Sequence, residues 1–267
     1  MTWSIVARDP ASGYLGIAVA SRFFAAGAVV SHIRGGIGAI ATQAFINPTY
    51  GIDGLELLDR GYQLTEILCR LTSRDDGSAQ RQLHLIDAQG HNHAFTGELC
   101  MDWAGHIVSQ DVSVAGNMLV GPQVIEATLD AYQANAELPF AERLLMAMDA
   151  GEAEGGDKRG RQSAALKIHR DQDYPWLDLR VDDHAEPLVE LRRLYAVAQE
   201  RFVYIADTMP TRLNPHGMID RREIDTKIAE LEAKRIAEGI ASASFATPLK
   251  QPDDRLAAPR RCPRQAK

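Results

Sequence analysis

The stretch that decides the fold lies at the start of the chain, where residues 2–21 read TWSIVARDPASGYLGIAVAS. Apolar residues alternate from Trp3 onward, and a second alternating run follows Tyr14. Between them lies DPASG, which is rich in turn-forming residues, so the pattern predicts a β-hairpin. The first residues of a chain are usually frayed, because little holds them. An ordered strand here indicates that the chemistry of residue 2 needs a fixed position.

Thr2 is the first candidate for a catalytic residue. Methionine aminopeptidases remove Met1 when the next residue is small, which would leave a threonine with both a hydroxyl and a free α-amine. The ordinary pKa of an α-amine is about 7.7–8.0, so this amine suits a general base near neutral pH. The alternative is that Thr2 is only a common second residue. The hairpin favours a nucleophile, because a strand can hold a hydroxyl group in place.

The rest of the first 206 residues alternates between strand patterns and helix patterns. Strands in antiparallel sheets, covered by pairs of helices, are typical of an α+β fold. The strand patterns include GIGAIATQA, RQLHLIDAQGHNHAFTG as a hairpin, DVSVAGNMLVG, DKRGRQSAALKIHR and PWLDLRVDD. The helix patterns include IDGLELLDRG, QLTEILCRLTSRD, PQVIEATLDAYQAN and PFAERLLMAMDAGEAEGG.

The character of the chain changes after residue 206. Residues 207–220 contain MPTRLNPHG and are interpreted as a linker. Residues 221–243 predict a charged amphipathic helix that packs on the body or on a partner chain. Residues 244–267 are locally basic and are predicted to be disordered. The apolar side chains near one face of the helix are Ile224, Ile228, Leu231 and Ile236.

Composition narrows the class of protein. The 267 residues are 45% hydrophobic and 24% charged, as in an ordinary globular protein, and the net charge is −7. An acidic chain argues against general binding to nucleic acid or anionic membranes. Cys69, Cys100 and Cys262 form no CxxC motif, so neither a zinc site nor a cofactor is expected. The odd cysteine count and the start without an export signal predict a cytoplasmic protein.

The segment GGDKRGRQSAAL, residues 155–166, carries a second group of candidates. Asp157 and Arg159 lie closest to the predicted bend, and Gln162 offers a further amide. If the strand began here, Arg159 and Arg161 would share one face. Arginine binds carboxylates through two parallel hydrogen bonds, so the pattern indicates a small polar substrate that carries a carboxylate. The alternative is a solvated turn with structural salt bridges.

Further polar residues lie at predicted strand ends. Asn117, in AGNMLVG, is expected to offer its amide to a developing oxyanion, the alternative being a turn residue. Gln43 and Asn47 lie in ATQAFINPTYG, and their amides serve either a substrate or the backbone. Ser4 shares the face of Thr2 on a regular strand, and Ser21 ends the second strand. Either hydroxyl is expected to contact the nucleophile or its amine.

Metal binding is not predicted. No pair of histidines has metal-ligand spacing on one element, and HNH at residues 91–93 is interpreted as an exposed loop. In DLRVDDH, Asp182 and Asp183 are interpreted as capping the helix that follows rather than as cation ligands.

Six segments together resemble the bacterial family called domain of unknown function 1028 (DUF1028), which is grouped with the N-terminal nucleophile (Ntn) hydrolases. The resemblance implies a four-layer αββα fold, with two stacked antiparallel sheets between layers of helices. In fold relatives such as proteasome subunits, an N-terminal Thr, Ser or Cys cleaves amide bonds. No substrate follows from the resemblance. The segments are TWSIVARDPASGYLGIAVAS, GIGAIATQAFINPTYG, DWAGH, AGNMLVGPQV, GGDKRGRQSAAL and DLRVDDH, in that order over about the first 200 residues.

Two hypotheses about function follow. The first is an Ntn-type hydrolase that cleaves an amide bond with Thr2, once Met1 has been removed. The second is a catalytically inactive ligand-binding or assembly protein on the same frame. Retention of Met1 would favour the second hypothesis, because the α-amine would then lie one residue too far along. The expected partners are a small polar substrate and, through the last amphipathic helix, a second copy of the chain.

Overall fold

The N-terminal hairpin forms as predicted. The computed structural model describes residues 2–246, with strands β1 (Thr2–Arg8) and β2 (Leu15–Ser21) paired antiparallel. Gly13, with a φ of 75°, gives the turn a left-handed residue that has no side chain to clash. Nearly every residue of the two strands is buried, so this hairpin forms the middle of a sheet rather than its edge.

The larger sheet has six antiparallel strands in the order β10-β9-β2-β1-β8-β7. β1 therefore has a partner on each side, and Thr2 is paired with Asn117. The four added strands are β7 (Trp103–Ser109), β8 (Val112–Leu119), β9 (Ser163–His169) and β10 (Leu177–Val181).

A second antiparallel sheet of four strands lies face to face with the first. Apolar residues such as Val6, Ile17, Ala39 and Ile86 fill the space between the sheets at the end remote from Thr2. The strands, in spatial and sequence order, are β3 (Ser31–Arg34), β4 (Gly38–Ala44), β5 (Arg81–Asp87) and β6 (Asn92–Thr96).

Helices cover both outer faces, which completes the four-layer αββα sandwich that the family resemblance implies. Two of them pack on the four-stranded sheet, and three pack on the six-stranded sheet. The first two are α2 (Thr49–Asp59) and α3 (Leu64–Thr72), and the other three are α4 (Gln123–Ala134), α5 (Phe140–Ala153) and α6 (Pro187–Val197); a short α1 (Ala26–Val30) precedes β3.

The C-terminal part leaves the sandwich. α6 continues through a π-helical turn (Ala198–Phe202) into α7 (Val203–Ala206), and α8 follows at Arg222–Ala237. α8 is shorter than the predicted 221–243 and buries none of its residues. Residues 247–267 of the predicted tail lie outside the described residues. Within residues 2–246, none of the helices combines the length and apolar character that crossing a membrane requires.

Three elements were not predicted, and the predicted start of β9 was wrong. α1, β3 and β7 are short or lie at a sheet edge, so their patterns are weak. The strand predicted from residue 157 begins only at Ser163. Before it, Asp157 accepts hydrogen bonds from the backbone N–H groups of Arg22 and Arg159, which holds this segment as a turn. Arg159 and Arg161 therefore do not share a strand face.

Candidate functional site

A polar layer lies between the sheets at the end where β1 begins. Its side chains come from four strands in the middle of the two sheets and from the end of β2. Each is at most 2% exposed, so each must find hydrogen-bond partners inside the protein. The members of this layer are Ser4, Ser21, Gln43, Gln82, His84, Ser113 and Asn117.

Thr2 lies at the outer end of this layer. The strand alternation turns Thr2 and Ser4 toward the space between the sheets and Trp3 toward the helices. Thr2 is 3% exposed, and its Oγ1 lies 3.0 Å from the Oγ of Ser21. The hydroxyl of Thr2 is therefore held by a strand end that is paired on both sides.

Two buried amides hold the main chain of Thr2. Its carbonyl oxygen accepts a hydrogen bond from Asn117 Nδ2 at 3.3 Å and a longer one from Gln43 Nε2 at 3.5 Å. The same two amide nitrogens donate to Gln82 Oε1, at 3.0 and 2.9 Å. The Gln43 amide also donates to Ala115 O at 3.1 Å, so its contact with Thr2 is the weakest of its three. Both hydrogens of the Asn117 amide thus go to protein acceptors, not to the open position that an oxyanion donor needs. In this structure Asn117 acts on the main chain of Thr2.

Gln82 connects these amides, and the sequence analysis did not single it out. Its Nε2 lies within hydrogen-bond distance of three acceptors: Thr96 Oγ1 at 2.9 Å, Gly105 O at 3.0 Å and Gly116 O at 2.9 Å. The side chain therefore links both sheets. A signal was present, because Gln82 alternates with buried Leu83 in RQLHLID, and polar residues on an inward face need partners.

His84 extends the layer inward. Ser4 donates to Gln43 Oε1 at 2.7 Å, so its 2.8 Å contact with His84 Nε2 has the imidazole N–H as donor. Ser113 then donates to His84 Nδ1, also at 2.8 Å. Burial lowers the pKa of His84 to about 3, and charge on His106 adds to the effect. His84 is therefore neutral at physiological pH and positions Ser4.

Asp157 and Arg159 lie at the strand ends beside Thr2. Asp157 bridges to Leu119, and its carboxylate accepts from Arg22 N at 2.7 Å and Arg159 N at 2.9 Å. The Arg159 guanidinium lies 3.3 Å from the same carboxylate and is about one-third exposed. The Arg22 guanidinium, which the sequence analysis missed, donates to Arg159 O at 2.8 Å. Asp157 thus holds a turn that presents two arginines.

Two other predicted residues lie elsewhere. Asn47 joins a cluster around Asp75, to which Asn47 Nδ2 donates at 3.3 Å and the Tyr50 hydroxyl at 2.8 Å. The hydrogen bond from Arg81 is the main cause that lowers the pKa of Asp75. Gln162 donates to Asp183 Oδ1 at 3.0 Å in an exposed position. The structure does not bring either side chain to Thr2.

Arg161 also points away from the site, since it forms ion pairs with Glu152 and Glu186. His91 bonds to Asp87 in the exposed turn of the second hairpin. Among residues 2–246, no three side chains of His, Cys, Asp or Glu lie close enough together to hold a metal ion.

Comparison with known proteins identifies the family. The family of unknown function DUF1028 matches residues 2–191. A crystal structure of a DUF1028 protein from Silicibacter pomeroyi superposes with a TM-score of 0.76 at 32% identity, over 82% of this chain and 96% of that one. Anbu, an ancestral β-subunit from Yersinia bercovieri, gives a TM-score of 0.38 at 14% identity, over 78% and 98%. No curated protein matches. The chain, with Thr2 at the head of its central strand, belongs to the DUF1028 family.

Proposed function

We propose that the protein is an Ntn-type hydrolase that cleaves an amide bond in a small molecule, with Thr2 as the nucleophile after removal of Met1. The observation that carries the proposal is the fixing of Thr2. Its hydroxyl is buried beside Ser21, and its carbonyl accepts a hydrogen bond from Asn117. In a chain that begins at Thr2, such restraint suits catalysis, because a nucleophile must be held to a fraction of an ångström.

The chemistry proceeds in two balanced steps. Thr2 Oγ1 attacks the amide carbonyl carbon while its proton passes to the Thr2 α-amine, directly or through a water. The C–N bond then breaks, the leaving amine takes that proton, and an ester remains on Thr2. Water, deprotonated by the same amine, attacks the ester and releases the acid, and the proton returns to Thr2 Oγ1. The reaction consumes one water and needs no cofactor.

The surrounding residues take separate roles in this proposal. Ser21 orients the Thr2 hydroxyl, and Ser4 holds Gln43 through a hydrogen bond to its amide oxygen. Asn117, Gln43 and Gln82 are positioning residues that act through the main chain of Thr2. The turn at Asp157 presents Arg22 and Arg159 to a carboxylate on the substrate.

The first test is covalent labelling. We expect the intact mass of the purified native chain to correspond to a chain that begins at Thr2. Treatment with a β-lactone, which acylates hydroxyl nucleophiles, should then add one probe mass. Thr2→Ala should remove the label and lower any amidase activity by at least about a thousandfold, the scale seen when a nucleophile is deleted.

Thr65→Ala is the matched control, because Thr65 is an exposed threonine in α3. It should be labelled like the native chain. A chain that keeps Met1, or equal labelling of the Thr2→Ala variant, contradicts the proposal. Either result favours the second hypothesis, a catalytically inactive binding or assembly protein on the same frame.

We further propose that the protein is cytoplasmic and forms a homodimer through α8 and the residues that follow it. The cytoplasmic location rests on the odd number of cysteines, which suits a reducing compartment. The support for the homodimer is the exposure of large apolar side chains in this region. Ile236 is 65% exposed, Ile240 54% and Phe245 79%. Their burial against a second copy would remove apolar surface from water.

A further inference from the structure

A small apolar pocket lies at the edge of the buried polar layer, on the side of the four-stranded sheet. Its volume is about 130 Å³, enough for roughly four groups of the size of a water molecule. None of its lining residues carries a charge. Asn117, the strand partner of Thr2, forms part of the wall. The other lining residues are Ala44, Phe45, Gln80, Leu99, Cys100, Met101 and Met118.

The rim of the pocket consists of large apolar side chains that folding leaves in water. Phe45 is 67% exposed, and Leu99 and Met101 are each 61% exposed. Single exposed apolar residues are ordinary, but three around one cavity next to a buried polar layer form a patch. A ligand with an apolar group would cover it.

The backbone around the pocket is strained. Ala44, Asp102 and Met118 have positive φ values of 70°, 57° and 52°, which non-glycine residues seldom adopt. They are three of the five such residues within 2–246, and all lie in or beside this pocket. Each costs on the order of 1 kcal/mol, and such strain persists where the surrounding structure imposes it, often at ligand sites.

Several hydrogen bonds and contacts set the pocket's shape in advance. Met118 N donates to Met101 O at 3.2 Å, and Leu99 N donates to Ala79 O at 2.8 Å. Asp102 directly follows the lining residues 99–101. Its ion pair with Lys158, at 2.5 Å, connects that segment to the turn that carries Arg159. The pocket therefore exists before a ligand arrives, as is usual for small-molecule sites.

We propose that this pocket binds an aliphatic or small aromatic group of the substrate, next to the scissile carbonyl. The inference rests on the proposed hydrolase function, since it places that carbonyl at Thr2 Oγ1. The arginines of the Asp157 turn lie at the end of β2, whereas the pocket lies toward β4 and β5. The substrate class is therefore an amide with an apolar group at one end and a carboxylate at the other.

The test uses two series of probe amides. One runs from acetamide through butyramide to hexanamide, which lengthens the acyl side. The other runs from N-methylacetamide to N-butylacetamide, which lengthens the amine side. Binding is measured by NMR on the Thr2→Ala variant, so that no turnover is needed. We expect affinity to rise about fourfold per added methylene in one series until the pocket is full.

Leu99→Asp should abolish this rise, with at least a tenfold loss for the longest amide and a smaller loss for the shortest. Met101→Asp is a second, independent variant in the same rim. Leu213→Asp is the matched control, because Leu213 is 93% exposed and does not line the pocket. The proposal is contradicted if affinity is independent of chain length in each of the two series. It is also contradicted if Leu213→Asp causes the same losses as Leu99→Asp.

The two proposals fail in different ways. Affinity that rises with chain length, without hydrolysis by the native protein, supports the pocket and contradicts the hydrolase function. Hydrolysis at a rate that does not depend on chain length contradicts the proposed pocket but supports the hydrolase function. The series that shows the rise also tells whether the apolar group belongs to the acyl or the amine side.

Discussion

At the scale of single residues, the site depends on a neutral histidine inside the protein. His84 donates to Ser4 and accepts from Ser113, and its ring is fully buried between the sheets. Burial disfavours the charged form, which lowers the pKa of His84 to about 3. In the unfolded chain the same group has its ordinary pKa of about 6.5.

This difference predicts a pH-dependent stability. Between pH 6.5 and 3 the unfolded chain binds a proton that the folded chain does not, so stability falls as pH falls through this window. At pH 5 the loss from His84 is about 2 kcal/mol relative to pH 7.5. The measurement is urea unfolding at both pH values, for the native chain and for His84→Gln, which keeps hydrogen-bonding groups at the site.

The variant should lose about 2 kcal/mol less than the native chain between the two pH values, whatever its stability at pH 7.5. His91→Gln is the control, because His91 is exposed on the surface. Equal losses in the native chain and His84→Gln would show that His84 is not held neutral.

At the scale of elements, α2 packs closely on its sheet because two of its inward-facing residues are glycines. Gly51 and Gly54 face the four-stranded sheet, and both are buried. A Cβ atom at Gly51 would overlap the imidazole of His32, and one at Gly54 would lie 2.5 Å from Ile40 Cδ1. The two glycines let the helix approach the strands closely, although glycine costs about 1 kcal/mol relative to alanine inside a helix.

Gly51→Ala should therefore destabilise the protein by about 1–3 kcal/mol, because overpacking outweighs the gain in helix propensity. Adding His32→Ala should remove most of that penalty, so the double-mutant cycle should show strong coupling. Ile52→Ala, at an exposed position of the same helix, should change the free energy of unfolding by no more than about 0.5 kcal/mol. A Gly51→Ala variant as stable as the native chain would contradict this account.

The strand and helix patterns predicted an α+β fold, the family resemblance added its four layers, and the site was predicted only in part. The hairpin at residues 2–21 and the amphipathic helices could be predicted because their patterns are local in the sequence. Thr2, Ser21, Gln43 and Asn117 were predicted as site residues, and the structure brings them together. Gln82 was missed and Asn47 lies elsewhere, because pairing across two sheets depends on contacts between residues far apart in sequence.

At the scale of the whole molecule, the sandwich has a buried core, whereas the C-terminal extension makes mostly surface contacts. The family match ends at residue 191, and α8 buries none of its residues. The extension returns to the body through surface contacts. Ser242 donates to the Glu200 carboxylate at 2.7 Å, and Phe245 lies under the Arg193 guanidinium at 3.9 Å. Contacts of this exposed kind add little to stability.

A chain that ends at residue 218 should consequently unfold within about 1 kcal/mol of the full chain. Light scattering should give the mass of two chains for the full protein and of one for the shortened chain, if α8 carries the dimer. A monomeric full chain, or a shortened chain that still dimerises, contradicts the proposed interface.

The central place of β1 in its sheet has a consequence for the order of events during synthesis. Thr2 is paired with Asn117, and its side chain is enclosed between the sheets. An aminopeptidase must draw an extended N-terminus into its own active site, and it cannot do so once this strand is paired on both sides. At about 5–20 residues per second, the ribosome takes roughly 6–24 s to reach the end of β8. The proposed excision of Met1 belongs to that interval, so a chain that folds before excision is expected to keep Met1.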